Sequence, residues 1–225
     1  MDLEQAFTFI WKDEDWPKKL GVASILMITI IGSIGVIGWL AELAKRVSKG
    51  EEKPIPDWEH MGDYFKIGLM YWGITFIWSL PVILLIIGSA LLFTPSALME
   101  DPGPFLAVIS VINVCLFVLI FVYILIISLL TPPLWVLLAE GKPFNELVNP
   151  RPAWTLFRAN IGGYLIAMLV GWLITVVMSS FGVLACLVGI FFASVLSQMI
   201  VAFLVGQATA QARAYQEITP VVPLA

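Results

Sequence analysis

His60, the one histidine in the chain, stands among three carboxylates: Asp57, Glu59 and Asp63. An imidazole beside several acids could hold a metal ion or run acid–base hydrolysis at a membrane surface. The spacing points elsewhere. With Asp57 as a helix N-cap, Trp58, Met61 and Phe65 share one face of a short helix, and Glu59, His60, Asp63 and Lys66 lie toward the other, as on a solvated polar face. Hydrolysis would also need a further ligand or nucleophile that the neighbouring residues do not supply. Cys115 and Cys186 sit inside apolar runs with no metal-type spacing and read as packing residues. No catalytic residue, no metal ligand and no cofactor is expected.

Polar residues inside apolar stretches form the second group that could do chemistry: Asn113, Ser194, Ser197, Gln198 and Gln207. Ser194 and Gln198 are four apart and share a helix face, as do the small residues Ala202, Gly206 and Ala210, whose spacing lets another helix approach closely. Such groups serve either as hydrogen-bonding glue between helices or as a polar path for a solute. Glu42 is the acid closest to an apolar core, and Lys45 and Arg46 follow it at i+3 and i+4. A local ion pair accounts for it better than a proton relay does.

The elements that must position these residues follow from composition. Of the 225 residues, 60% are hydrophobic and 12% charged, with a formal net charge of −4. A soluble domain carries about twice that share of charge, so an all-α polytopic membrane bundle is expected. The scattered bases, without a basic run, argue against nucleic acid as a partner; membrane lipids, other integral subunits or a second copy remain. The acidic start, lacking a basic stretch or a small-residue cleavage site, predicts no cleaved signal peptide.

Residues 1–19 show helical spacing of Leu3, Ala6, Phe7, Ile10 and Trp11, which predicts an interfacial amphipathic helix anchored by Trp11 and Trp16. Residues 20–212 form the membrane domain, with spans expected at 20–44, 67–93, 105–130, 161–178 and 184–208. Pro81 should kink the second, and Thr131-Pro132-Pro133 should end the third, leaving 134–139 along the interface with Trp135 as anchor. The last two spans read as a hairpin turning at 179–182, and 213–225 as a frayed tail. Loops 45–66 and 141–158 share a pattern: Gly50 and Gly141, then Lys53-Pro54 and Lys142-Pro143, a Trp, and Phe65-Lys66 and Phe157-Arg158. In loop 45–66, Lys45, Arg46 and Trp58 are further anchors.

Both loops carry bases, whereas 94–104 carries none, so the positive-inside rule makes 45–66 and 141–158 cytoplasmic in a cell-membrane protein. A continuous crossing at 20–44 would then place Lys12, Lys18 and Lys19 outside, against the rule. The absence of proline favours that crossing; Gly32, Ser33, Gly35 and Gly38 allow the alternative, a re-entrant hairpin that keeps every base inside.

Asp15-Trp16-Pro17-Lys18-Lys19 with Gly21, then Gly38-Trp39, Lys45-Arg46-Val47, Gly50-Glu51, Pro54-Ile55-Pro56-Asp57-Trp58, Gly62-Asp63-Tyr64-Phe65 and Gly68 resemble the prokaryotic membrane family known as domain-of-unknown-function family 4013. Its members show an acidic-Trp opening, a basic exit from the first apolar segment and a Pro-Leu-Pro-(Glu/Asp)-Trp turn. Ile55 stands here for the usual Leu. Arg158-Ala159-Asn160-Ile161-Gly162 and the region of Gly206-Gln207 are similar more loosely. The resemblance implies an integral membrane protein of a bacterium or archaeon and brings no activity with it. With no catalytic constellation, the expected role is a non-enzymatic accessory, scaffolding or membrane-organising subunit. The alternative is a transporter or channel for a lipid-like or small apolar solute.

Overall fold

A computed structural model describes residues 2–95, 103–184 and 186–218, and every regular element among them is helical. Four helices are long and apolar enough to cross a membrane: α4 (Met61–Phe93), α5 (Gly103–Ala139), α8 (Ile161–Leu184) and α9 (Cys186–Ile218). They form two hairpins, α4 with α5 and α8 with α9, and the shorter helix α3 (Ile30–Ser48) packs against α4, α9 and α5 between them.

The expected span at 20–44 is two helices. The first, α2 (Trp16–Met27), ends at Ile28, and Thr29 in extended conformation starts α3. Thr29 Oγ1 accepts the Gly32 amide at 3.0 Å as an N-cap. Gly32 is required there, because a Cβ would lie 2.1 Å from the Leu26 carbonyl oxygen. The two helices fold back on each other. Lys19, near the start of α2, bonds Asp13 Oδ2 at 2.8 Å, Asp57 Oδ1 at 2.7 Å and the Ile55 carbonyl at 3.1 Å. Asp57 and Ile55 follow α3, so the chain enters and leaves this segment on the same side. A helix crossing once would hold those ends some 35 Å apart at 1.5 Å per residue. The continuous helix expected at 20–44 is therefore corrected to a helical hairpin, and its bend falls at Ile28–Thr29, ahead of Gly32, Gly35 and Gly38. Ile25, Ile28, Ile30 and Ile31 are exposed around that bend. Burial alone would lower the Lys19 pKa, but the hydrogen bonds to Asp13 and Asp57 outweigh it and raise the value above 10.5.

Other boundaries move as well. The short helix expected over 58–66 is a 3₁₀ turn, Trp58–His60, running into α4. Asp57 makes no side-chain cap there; its carboxylate serves Lys19 instead. The double proline does not end the third span, since α5 continues through Pro132 and Pro133 to Ala139. Helix α8 runs through 179–182 to Leu184, beyond the expected turn, and α9 continues past Arg213 to Ile218, through the first part of the expected tail; residues 219–225 lie outside the described residues. The linker expected over 94–104 falls largely on residues 96–102, which are likewise outside them.

At the N-terminus, α1 (Leu3–Thr8) and a 3₁₀ turn, Phe9–Lys12, dock on the protein itself. Ala6, Phe9 and Ile10 are buried, Phe9 stacks on Phe203 at 4.4 Å, and the Asp2 amide donates to Gln207 Oε1 at 2.9 Å. Leu3, Phe7 and Trp11 are exposed, so only part of the expected apolar face is the packing face.

Both loops that share the Gly-Lys-Pro pattern begin with the same helix ending. Gly50 (φ 77°) and Gly141 (φ 82°) occupy the left-handed region. The Glu51 amide reaches back to the Arg46 carbonyl at 3.2 Å and the Lys142 amide to that of Leu137 at 3.3 Å, the Schellman arrangement, which glycine adopts without a Cβ penalty. The second loop carries α6 (Phe144–Leu147) and α7 (Arg151–Ala159) and is held to α4 by Trp78 Nε1, which donates to the Val148 carbonyl at 2.8 Å.

Candidate functional site

A cavity of about 380 Å³ opens between α5, α8 and α9. Helix α5 contributes Ser128, Thr131, Pro132 and Trp135; α8 contributes Met168, Gly171, Trp172 and Thr175; α9 contributes Gln198, Val201 and Val205. Apolar side chains make most of the wall, as a segment that must also face lipid requires. Gly171 allows α8 and α9 to close behind the cavity, because a Cβ there would stand 2.7 Å from Val201.

The polar groups of the wall divide into satisfied and unsatisfied. Each hydroxyl donates its proton to its own helix: Ser128 to the Leu125 carbonyl at 2.7 Å, Thr131 to Ile127 at 3.1 Å and Thr175 to Gly171 at 2.8 Å. The oxygens keep lone pairs and remain acceptors. Gln198 is half-buried, and its amide has no hydrogen-bond partner among the described residues. Trp135 Nε1 is buried without an acceptor in bonding geometry, although the Tyr71 hydroxyl lies beside that ring. The described lining residues include no ionisable side chain.

Ser128 and Thr131 also border a second cavity of about 360 Å³ on the α4 side, with Tyr71, Thr75, Ser79 and Tyr123. Tyr123 there donates to the Trp78 carbonyl at 2.8 Å. A row of neutral polar groups therefore runs from α4 across α5 to Gln198 on α9. Such a surface offers hydrogen bonds to an uncharged polar group and apolar contact to a chain.

Of the polar residues singled out in the sequence, only Gln198 lines this cavity. Ser194 accepts through its carbonyl from Ser197 Oγ at 2.8 Å, and Asn113 lies toward the far ends of α4 and α5, bonded to Ser89 and to the Ile109 carbonyl at 3.0 Å. Ala202 and Gly206 are buried, and Gly206 lies against α3, where a Cβ would meet the Ala44 carbonyl at 2.5 Å. That is the close approach their spacing predicts. Glu42 pairs with Lys45 at 2.8 Å and more loosely with Arg46 at 3.5 Å.

Two expected headgroup anchors are half-buried and also pack against aromatic neighbours. Trp58 is stacked on buried Trp39 at 5.1 Å with planes 9° apart, and its Nε1 donates to the Lys19 carbonyl at 3.1 Å. Trp135 faces Tyr71 edge-on at 6.4 Å within the bundle. Trp11 does remain exposed, against the half-buried Trp16 at 5.0 Å. His60 shares a small cavity with Glu42, Asp63 and Tyr64, but no group of three or more metal-ligating side chains occurs among the described residues.

The profile of the family described as "Protein of unknown function (DUF4013)" matches residues 22–206. The chain belongs to this family. The matched region of this family 4013 protein takes in the α2–α3 hairpin from residue 22 onward and every lining residue of the cleft, Gln198 included. No curated protein and no solved structure matches it.

Proposed function

We propose that this family 4013 protein is a non-enzymatic, membrane-organising subunit that seats a neutral, lipid-like molecule in the cleft between α5, α8 and α9. The observation that carries the reading is the Gln198 amide, without a hydrogen-bond partner among the described residues in a mostly apolar cavity of about 380 Å³. An amide left without a partner in apolar surroundings costs about 1–3 kcal/mol, which a ligand carbonyl or hydroxyl would recover. With no ionisable group in the wall, an uncharged head such as an ester or alcohol suits the site better than an ion. Partners of this kind are membrane lipids, with other integral subunits or a second copy free to use the exposed apolar faces of α4 and α5.

The protein belongs in the cell membrane with the N-terminus, loops 45–66 and 141–158 and Arg213 all cytoplasmic. A returning hairpin followed by four crossings puts all 12 lysines and arginines on one side, as the positive-inside rule asks.

Lipid extraction and mass spectrometry of protein purified in mild detergent tests the cleft. Wild type should retain about one neutral lipid-like molecule per chain, and Thr175→Leu and Gln198→Leu should lose it while staying monodisperse. Equal retention by all three, or none by wild type, would end the proposal. Lipid flipping in proteoliposomes above the empty-vesicle rate would shift the role from subunit to transporter.

A further inference from the structure

A further cavity, of about 520 Å³, lies at the polar end of α4 and α5 and shares no lining residue with the cleft. Its lining takes Asp63 and Lys66 from the first turns of α4 and Lys142 from just past the end of α5, and, about one turn further into each helix, Met70 and Leu138, with Phe144 from the loop. Basic groups next to apolar ones, at the end of two helices fit to cross a membrane, form an amphiphilic site at headgroup level. We propose that it binds an anionic phospholipid, with the phosphodiester between Lys66 and Lys142 and the upper acyl chain over Met70 and Leu138.

The chain builds this site deliberately. Gly141 takes φ 82° and turns the backbone at the end of α5, which brings Lys142 back over the cavity. Gly73 leaves room for the Phe144 ring, which would stand 3.0 Å from a Cβ at that position. The bond from Trp78 Nε1 to the Val148 carbonyl holds the rest of the loop along α4. Nearby, Lys45 is already paired with Glu42, and Arg46 with Glu42 and Glu51. Lys66 makes no ion pair among the described residues. Lys142 pairs only with Glu146, at 2.9 Å, and both side chains are more than a third exposed. An exposed pair of that kind is worth about 0–1 kcal/mol, so a phosphate can replace the carboxylate. Asp63 on the rim disfavours a dianionic group and leaves a singly charged diester as the better match. The site is independent of the cleft: neutral-lipid retention and this binding use different walls and fail separately.

Native mass spectrometry in detergent, titrating phosphatidylglycerol, phosphatidylcholine and glycerol 1-phosphate in turn, tests the site on the full chain. Phosphatidylglycerol should bind most tightly, and Lys66→Gln and Lys142→Gln should each weaken it about tenfold, the worth of one charge-assisted hydrogen bond. Lys18→Gln, at an exposed lysine elsewhere, should leave it unchanged and controls for general loss of charge. Equal binding of the two lipids, or no change in either variant, overturns the proposal. Binding of glycerol 1-phosphate as tight as the lipid would reassign the site to a soluble anion and overturn it as well.

Discussion

Helices α2 and α3 meet at a sharp bend that contains neither proline nor glycine, whereas α5 stays helical through two adjacent prolines. At Ile28–Thr29 the freed amides find local acceptors: Thr29 Oγ1 takes the Gly32 amide, and the Ile28 and Thr29 amides close tight turns onto Ile25 and Leu26. In α5, Pro132 and Pro133 withhold donors from the Ser128 and Leu129 carbonyls, yet Leu130, Pro132, Pro133, Leu134 and Val136 are all buried against neighbours. A breaker residue removes at most a bond or two. Contacts from elsewhere in the chain decide whether the helix stops. In the hairpin those contacts pull both ends to one side, through Lys19, Asp57 and the Trp39–Trp58 stack; in α5 they surround the prolines and the helix continues past them.

The largest effect expected of this difference is a change of side. Single cysteines at positions 18 and 53, in a background with Cys115 and Cys186 replaced by serine, should behave alike toward a membrane-impermeant maleimide: protected in intact cells and labelled in inverted vesicles. Labelling of position 18 alone in intact cells would mean that 20–44 crosses the membrane, and the hairpin reading would fall.

Lys19→Met removes the charge that ties the hairpin ends together while keeping much of the side-chain bulk. The Lys19 and Asp13 side chains are 12% and 9% exposed, so the loss should lie between the values for surface and buried pairs, about 2 kcal/mol. The folded state holds the Lys19 proton more tightly than the unfolded chain. Its stabilisation is therefore complete below pH 10.5 and fades as pH rises through the higher folded value. Thermal unfolding in detergent should show the gap between wild type and Lys19→Met closing above pH 10.5. A gap constant to pH 11.5 would remove the ion pair from the account of the hairpin.

The same contrast explains which parts of the fold could be read from the sequence. Apolar length sufficed for α4, α5, α8 and α9, because a run of that length needs a bilayer or a core whatever surrounds it. Local spacing sufficed for the Glu42–Lys45 pair and for Gly206 against α3, and the repeated Gly-Lys-Pro pattern corresponds to two identical helix endings. The bend at Thr29 was not legible, since it depends on Lys19 meeting residues that lie beyond α3. Trp58 looked like a headgroup anchor for the same reason: its partner, Trp39, lies on another helix. The cleft was legible only at Gln198. Ser128, Thr131 and Thr175 each bond to their own helix, and only the crossing of α5 with α8 and α9 makes them a common wall. A Ser or Thr three or four residues apart in an otherwise apolar run, as at Ser128 and Thr131, is the signal that could have been used.

The smallest effects belong to the residues that local rules rank highest. Thr29→Val deletes the N-cap of α3 and should cost about 1 kcal/mol, because the Gly32 amide loses its acceptor at a bend the rest of the protein still enforces. Pro133→Ala should cost less than Thr29→Val. Alanine restores a donor for the Leu129 carbonyl, which offsets part of the packing lost when the ring is removed from a buried position. Unfolding of both variants in one detergent gives the ranking directly. If Pro133→Ala proved the more damaging, the proline would be shaping α5 itself, and the view that neighbours alone keep that helix continuous would fail.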